Sequence, residues 1–355
     1  MLTIIALPLI TSFAMALILT YPVIIISKRW GLIDDPKSNK HKKVIHKKPI
    51  PRGGGLAIYL SFMITTLLFL PLDKHILGII LGATLLVFTG LLDDRYNLNP
   101  YLRLALQFFA ASIPIAAGIG ISFVTNPLGG GILDLSYPQI SFELLGKTRS
   151  IWILSDLFAL FWIVIIMNFL NWGAKGVDGQ LSGVVAIAAL TMMFLSSNYS
   201  ADIAEWPVMI LASITVGAFA GFLPWHVYPQ KIMPSFGGSN LGGFLLAILS
   251  ILTTAKVGTL AMVLAIPLID SGYTVIRRIA QGKSPVWGDR GHFHHRLLDK
   301  AGWNIPKIMI FYWATTLFFG IIALNINAQN KLYTILAAGL CLAATILWLN
   351  SYKQG

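Results

Sequence analysis

The chain has 355 residues, 56% hydrophobic and 11% charged, with a formal net charge of +12. A soluble domain would carry about 25% charged residues, so a soluble globular class is excluded. The excess positive charge would point to nucleic acid in a soluble protein. Here it lies mostly in loops between apolar runs, where membrane topology and anionic ligands explain it better and no nucleic-acid partner is expected. The single cysteine, Cys341, sits inside an apolar run, which rules out an intrachain disulfide and any cysteine-built zinc or redox site.

Apolar runs of about 20 residues are what a bilayer requires. Eleven such runs are predicted as spans, at 3–27, 54–71, 76–92, 101–121, 150–170, 181–197, 205–222, 241–254, 256–275, 307–325 and 331–349. The first is too long for a signal-peptide core and reads as a retained span. The fold class is therefore all-α, a polytopic transmembrane helical protein of about 10–11 spans. Residues 1–355 read as one membrane domain with cytoplasmic loops 28–53, 93–100, 171–180, 223–240 and 276–306.

Lys and Arg set the orientation. Of 26 basic residues, 21 fall on the side of loop 28–53 and 5 on the other. This bias places that loop in the cytoplasm, the N-terminus outside and the C-terminus inside. Among the fourteen carboxylates, the cytoplasmic set is Asp34, Asp35, Asp93, Asp94, Asp178, Asp270, Asp289 and Asp299, with no Glu. Metal or acid–base chemistry on that face must draw on these.

In chain order, the basic stretch His46-Lys47-Lys48-Pro49-Ile50-Pro51-Arg52-Gly53-Gly54-Gly55 enters the second span. Free N–H groups at a glycine-rich helix start suit a phosphate; a purely topogenic loop touching lipid head groups suits the same residues. Asp93 and Asp94 end the third span. Two like charges at a membrane boundary call for a cation or a basic partner. A hard divalent ion and a solvated cap with Arg95 are equal alternatives at this stage. Asn168 to Gly179 joins two spans with Asn171, Lys175 and Asp178, where glycines permit close backbone approach and Asn both donates and accepts. Asn168 equally suits an interhelical clamp.

Lys231 to Gly243 is glycine-rich and could cradle phosphate, but with no charge beyond Lys231 it reads rather as a flexible turn. Asp270 interrupts an apolar run, which marks a functional residue by default; pairing with Arg277 or Arg278 is the alternative. Ser284 to Leu297 carries Asp289, Arg290, His292, His294, His295 and Arg296, a density of phosphate and sugar donors unusual for a plain solvated loop.

Taken in order, these motifs resemble the polyprenyl-phosphate N-acetylhexosamine-1-phosphate transferase family, over roughly Gly31 to Leu298. The resemblance rests on Pro49 to Gly55, the Asp93–Asp94 pair, Asn168-x-x-Asn171 with Asp178-Gly179, Asp270, and Asp289 to Leu297. The His-x-His-His form is similar to the N-acetylglucosamine-type branch. It implies attack by a polyprenyl (undecaprenyl) phosphate oxygen on the sugar-linked phosphorus of a UDP-sugar, with UMP leaving. It implies Mg²⁺ or Mn²⁺ at Asp93 and Asp94, with catalytic roles for Asp93, Asp94 and Asp270. Asn171, Lys175, Asp178, Asp289, Arg290, His292, His294, His295, His46 and Arg52 would bind substrate, and Lys42 and Lys43 would help attract the anions. A homodimer and a bacterial cell (inner) membrane are also implied. The sequence departs from the family pattern where Phe236 replaces an Asp that is usually a metal ligand and where Lys175 stands near another usual Asp. Asp93, Asp94 and Asp270 then remain as carboxylates for the ion. A non-catalytic relative that binds the same ligands is the alternative supported by Phe236. A transporter would place ionisable residues near the bilayer midplane, whereas here they sit mainly at the cytoplasmic ends.

Overall fold

A computed structural model describes residues 2–37, 45–144, 147–197, 205–253 and 257–351. Lys42 and Lys43 lie outside the described residues. Thirteen helices are present among those described, and each of the eleven apolar runs contains a helix, although 150–152 is strand and 118–121 lies beyond α4. In chain order they are α1 (Leu2–Arg29), α2 (Gly54–Phe69), α3 (Lys74–Tyr96), α4 (Pro100–Ala116), α5 (Ile153–Gly173), α6 (Gln180–Ser197), α7 (Trp206–His226), α8 (Ser235–Leu252), α9 (Val257–Val263), α10 (Ala265–Ala280), α11 (Phe293–Asp299), α12 (Ile305–Asn325) and α13 (Ala328–Ser351). Eight are long and apolar enough to cross a membrane, or nine if the bent pair α9–α10 is one span. This is fewer than the ten or eleven expected, because α2, of 16 residues, and α4, of 17, fall short of a full span. The protein is thus a multi-pass helical membrane protein. Three two-stranded antiparallel ladders are the only sheet among the described residues, the longest pairing 139–144 with 147–152.

Local chemistry sets the helix ends. Asp73 accepts from the Ile76 N–H at 2.8 Å to start α3, which stops at Asn97 in the left-handed region. Asn99, followed by Pro100, caps α4 through the Tyr101 N–H at 2.9 Å. Such caps satisfy backbone donors that the helix cannot. The run predicted as one span at 256–275 bends by 85° between α9 and α10. Pro267 accounts for this: it has no N–H to give Val263, and its ring would collide with that carbonyl.

The enclosed element is α8, in which every residue from Ser235 to Ile251 is buried. Residues 235–243 are therefore helix rather than the expected flexible turn. Their glycines serve helix crossings, as small residues do in membranes. A Cβ on Gly90 of α3 would lie 2.4 Å from the Gly237 Cα, and one on Gly55 of α2 would lie 2.4 Å from the Gly238 nitrogen. These contacts draw the starts of α2 and α8 and the last turns of α3 to one end of the bundle. A buried amide chain adds α4 and α5: Asn168 donates to Gln107 at 2.9 Å, and Gln107 donates to Asn240. Asn168 is thus the interhelical clamp.

Candidate active site

All five loops assigned to the cytoplasmic side contribute to one end of the bundle. There a cleft of about 320 Å³ is lined by residues including His46, Arg52, Arg103, Asn171, Lys175, Asp178, His292, His294 and His295.

The carboxylate pair lies beneath the cleft, joined to Arg52 and Arg103, which line it. Asp93 and Asp94 fall in the last turn of α3 and are 3% and 6% exposed. Negative charge at a helix C-terminus opposes the helix dipole, so these side chains need cations. Arg103, one turn into α4, reaches both Asp93 oxygens from Nη1 at 3.2 and 3.1 Å. Arg52 Nε lies 3.0 Å from Asp94 Oδ1. This second contact is an ion pair without hydrogen-bond alignment. Arg95, the partner considered from sequence, takes neither position.

Arg52 is fixed by its neighbours. Met233 N–H donates to the Pro51 carbonyl and Gly54 N–H donates to the Met233 carbonyl, each at 2.9 Å. The Gly54 N–H is thereby used internally, which weakens the reading of this helix start as a phosphate cradle.

Lys175 stands on a short loop after α5. Gln180 braces that loop, its Oε1 accepting from the Gly176 and Val177 N–H groups at 2.8 and 3.1 Å and its Nε2 donating to the Gly173 carbonyl at 3.2 Å. Lys175 donates to Asn171 Oδ1, which also accepts from Ser239 at 2.8 Å. Removal from water pushes the lysine amine down to about 7; attraction to Asp93 and Asp94 opposes this, and Arg103 and Arg52 reinforce it. Asp178 accepts from Gln230 Nε2 at 2.7 Å and from the Gln230 N–H at 3.1 Å. Burial raises its carboxyl despite those bonds and the nearby His46.

The histidines form the opposite wall. His292 and His294 stack with centroids 5.7 Å apart, and His294 and His295 lie 4.4 Å apart. Asp270, fully buried in α10, accepts from His292 Nδ1 at 2.9 Å and from the Phe293 N–H at 2.8 Å. Both of its oxygens are spent on holding the histidine segment, so Asp270 is a positioning residue. It joins neither the arginines suggested by the sequence nor the Asp93–Asp94 pair. Arg277 and Arg278 instead reach Asp289 at 2.9 Å each. Arg290 pairs with Asp299 through two 2.9 Å bonds. Asp289 and Arg290 therefore brace the loop, and neither lines the cleft.

Arg103, Gln230 and His226 line the cleft without having been singled out from sequence. Arg103 had one legible signal, a lone cation in the first turn of a span. Gln230 and His226 had none.

A divalent ion does not suit this donor set. Each clustered carboxylate already faces a guanidinium, and Asp178 and Asp270 spend both oxygens elsewhere. The Phe236 ring lies 5.0 Å from the Arg103 guanidinium carbon, and an aromatic face offers no oxygen to a hard ion. Among the described residues no group of three or more His, Cys, Asp or Glu gathers to hold a metal.

Comparison with known proteins gives concordant results. The sequence model of the family described as glycosyl transferase family 4 matches residues 76–254, from α3 through α8. A decaprenyl-phosphate N-acetylglucosaminephosphotransferase of Mycolicibacterium smegmatis is 24% identical, over 93% of this chain and 84% of its own length. The protein of the same name from Mycobacterium tuberculosis is 27% identical over 88% and 79%. An undecaprenyl-phosphate alpha-N-acetylglucosaminyl 1-phosphate transferase of Escherichia coli (strain K12) is 28% identical over 80% and 74%.

Proposed function

The chain belongs to glycosyl transferase family 4, and on that premise we propose that it moves a sugar 1-phosphate, N-acetylglucosamine 1-phosphate or a related N-acetylhexosamine 1-phosphate, from a UDP-sugar to a polyprenyl phosphate. The observation that carries this reading is the cleft itself. Arg52, Arg103 and Lys175 meet the Asp93–Asp94 pair across from three histidines, at the end of an apolar bundle. One substrate must arrive from water and the other from lipid, and a polar cleft at the membrane boundary suits both.

In the reaction an oxygen of the lipid phosphate forms a bond to the sugar-linked phosphorus. The bond from that phosphorus to the bridging oxygen breaks, and its electron pair leaves with UMP. A phosphate monoester is largely ionised near neutral pH, so the acceptor needs little help from a base. Positioning and charge neutralisation dominate phosphoryl transfer. Arg52 and Arg103 provide guanidinium forks suited to phosphate oxygens. Asn171 and Asp178 border the nucleotide. His292, held by Asp270, presents its other ring nitrogen on the side away from that carboxylate, within reach of sugar or phosphate. Asp93 and Asp94 hold the arginines in place. We assign the cleft to the cytoplasmic face of a cell membrane, a reading that the excess of Lys and Arg supports.

Phe236 supports a second reading, a relative that binds these ligands without turnover. Incubation with a radiolabelled UDP-N-acetylhexosamine and polyprenyl phosphate separates the two. Label passing into the lipid phase supports the transferase, whereas saturable binding with no transfer supports the second reading.

A further inference from the structure

The Asp93–Asp94 pair is surrounded by the chain's own cations. Arg103 takes both oxygens of Asp93, Arg52 takes one of Asp94, and Lys175 stands within electrostatic reach of both carboxylates. The two arginines match the two carboxylates one for one, and Lys175 adds a further basic group to a cleft that Asp34 and Asp178 also line. The carboxylates that would draw a metal ion are therefore already countered by guanidinium groups. Like charges in a partly dehydrated site repel strongly.

The ligand count points the same way. Mg²⁺ keeps several waters and uses one or two carboxylates beside substrate phosphates, and here both carboxylates of the pair are held by guanidinium groups. The Arg103 guanidinium lies over the Phe236 ring, itself 4% exposed, while the neighbouring Ser235 lines the cleft. That ring suits a guanidinium, which stacks on aromatic faces. The pocket is thus built around organic cations. Lys175 is also rigidly placed, because Gln180 holds its loop by three bonds and Asn171 holds its ammonium. A lysine ammonium is a compact point charge with several donors, the kind of group that can sit against a diphosphate.

We propose that Lys175, with Arg52 and Arg103, supplies the positive charge that a diphosphate requires, so that this chain binds a nucleoside diphosphate sugar and transfers its sugar phosphate without a divalent metal. The proposal rests on the transferase reading for its catalytic half only. As the bond to the bridging oxygen breaks, negative charge grows on the departing UMP phosphate, and the ammonium and guanidinium groups meet that charge. No oxidant, reductant or further co-reactant enters the balance.

The test uses the full chain in lipid nanodiscs. Mn²⁺ uptake is read by electron paramagnetic resonance, and UMP release and UDP binding are measured in EDTA and in Mg²⁺. The expected result is Mn²⁺ uptake no greater than that of empty nanodiscs, with equal UMP release in the two media. Lys175→Gln loses about 10²–10³-fold of the release, the scale of removing one electrostatic stabiliser. The double variant Lys175→Asp, Phe236→Asp gains Mn²⁺ uptake, because two carboxylates replace a cation and a ring. Stoichiometric Mn²⁺ uptake by the unaltered chain, or release abolished by EDTA and restored by Mg²⁺, overturns the proposal and leaves the transferase reading intact. Absence of release in both media overturns the transferase reading. In that case UDP binding that ignores EDTA and is lost in Lys175→Gln still supports the lysine as the diphosphate's cation, and binding that requires Mg²⁺ overturns it.

Discussion

Asp270 and His292, 22 residues apart in sequence, meet at 2.9 Å in a fully buried contact that fixes the histidine wall of the cleft. The carboxylate holds the proton on Nδ1 and the second oxygen caps the Phe293 N–H. Asp270→Ala leaves two buried donors without acceptors, at about 1–3 kcal/mol each. The expected outcome is a lowered melting temperature together with loss of UMP release. Asp270→Asn keeps one acceptor oxygen, so it should retain most of the stability while still losing turnover. Thermal unfolding in detergent and a turnover assay on both variants check this.

Gly176 makes room for His294. A Cβ there would lie 1.9 Å from the ring's Cδ2, closer than any neighbour can tolerate without moving. Overpacking of this kind costs about 1–3 kcal/mol. The rings of His292 and His295 touch His294 and should shift with it. Gly176→Ala should therefore weaken nucleotide-sugar binding with little change in the helical circular dichroism signal, and titration calorimetry reads the loss.

The Lys175 amine, lowered to about 7 by burial, predicts a pH dependence. The groups that face it are Asp93 and Asp94, which favour its charge, and Arg52 and Arg103, which oppose it. Below about pH 7 the free protein presents an ammonium to an incoming diphosphate. Above that pH the amine is neutral until the anion recharges it, so affinity falls as pH rises. One lost charge contact of about 1.4 kcal/mol corresponds to about tenfold in dissociation constant. Lys175→Arg, charged at every working pH, should flatten the profile measured from pH 6 to 9.

Asp289 anchors the segment before the histidines. Burial alone would raise its carboxyl, but the Gly291 N–H, Arg278 and Arg277 together hold it down to about 2. A depressed carboxyl stabilises the fold above its unfolded value and loses that contribution only as pH falls through about 2. The loop should thus keep its order across the whole working range. Asp289→Asn removes the charge-assisted bonds, worth about 1.5–3 kcal/mol where buried and less where water screens them. Faster proteolysis or hydrogen exchange in 281–292 at neutral pH is the expected outcome.

Much of this site is legible in local motifs. Asp93-Asp94, Asn171, Lys175, Asp178 and the histidine triplet announce themselves as polar residues beside apolar runs, and the fold gathers them. The partners are not legible, because they are tertiary. Arg103 reads as one cation opening a span until the tight turn at 97–99 brings it back to Asp93. Arg277 and Arg278 look like partners of Asp270 because they follow it on the same helix, yet His292 on the next element takes that place. The stretch 235–243 looks like a turn by the composition rules of water-soluble chains. In a membrane the same glycines mark where helices cross most closely. The bend between α9 and α10 had a visible cause in Pro267, masked by the continuous apolar run around it.

The most direct measurement is UMP release from UDP-N-acetylglucosamine and related UDP-N-acetylhexosamines by the purified chain with polyprenyl phosphate, with Asp94→Asn run beside it. The account predicts release that depends on the lipid phosphate and is abolished by the substitution, because Arg52 loses its charged anchor. Release unchanged in Asp94→Asn, or absent from the unaltered chain with every donor, would contradict it.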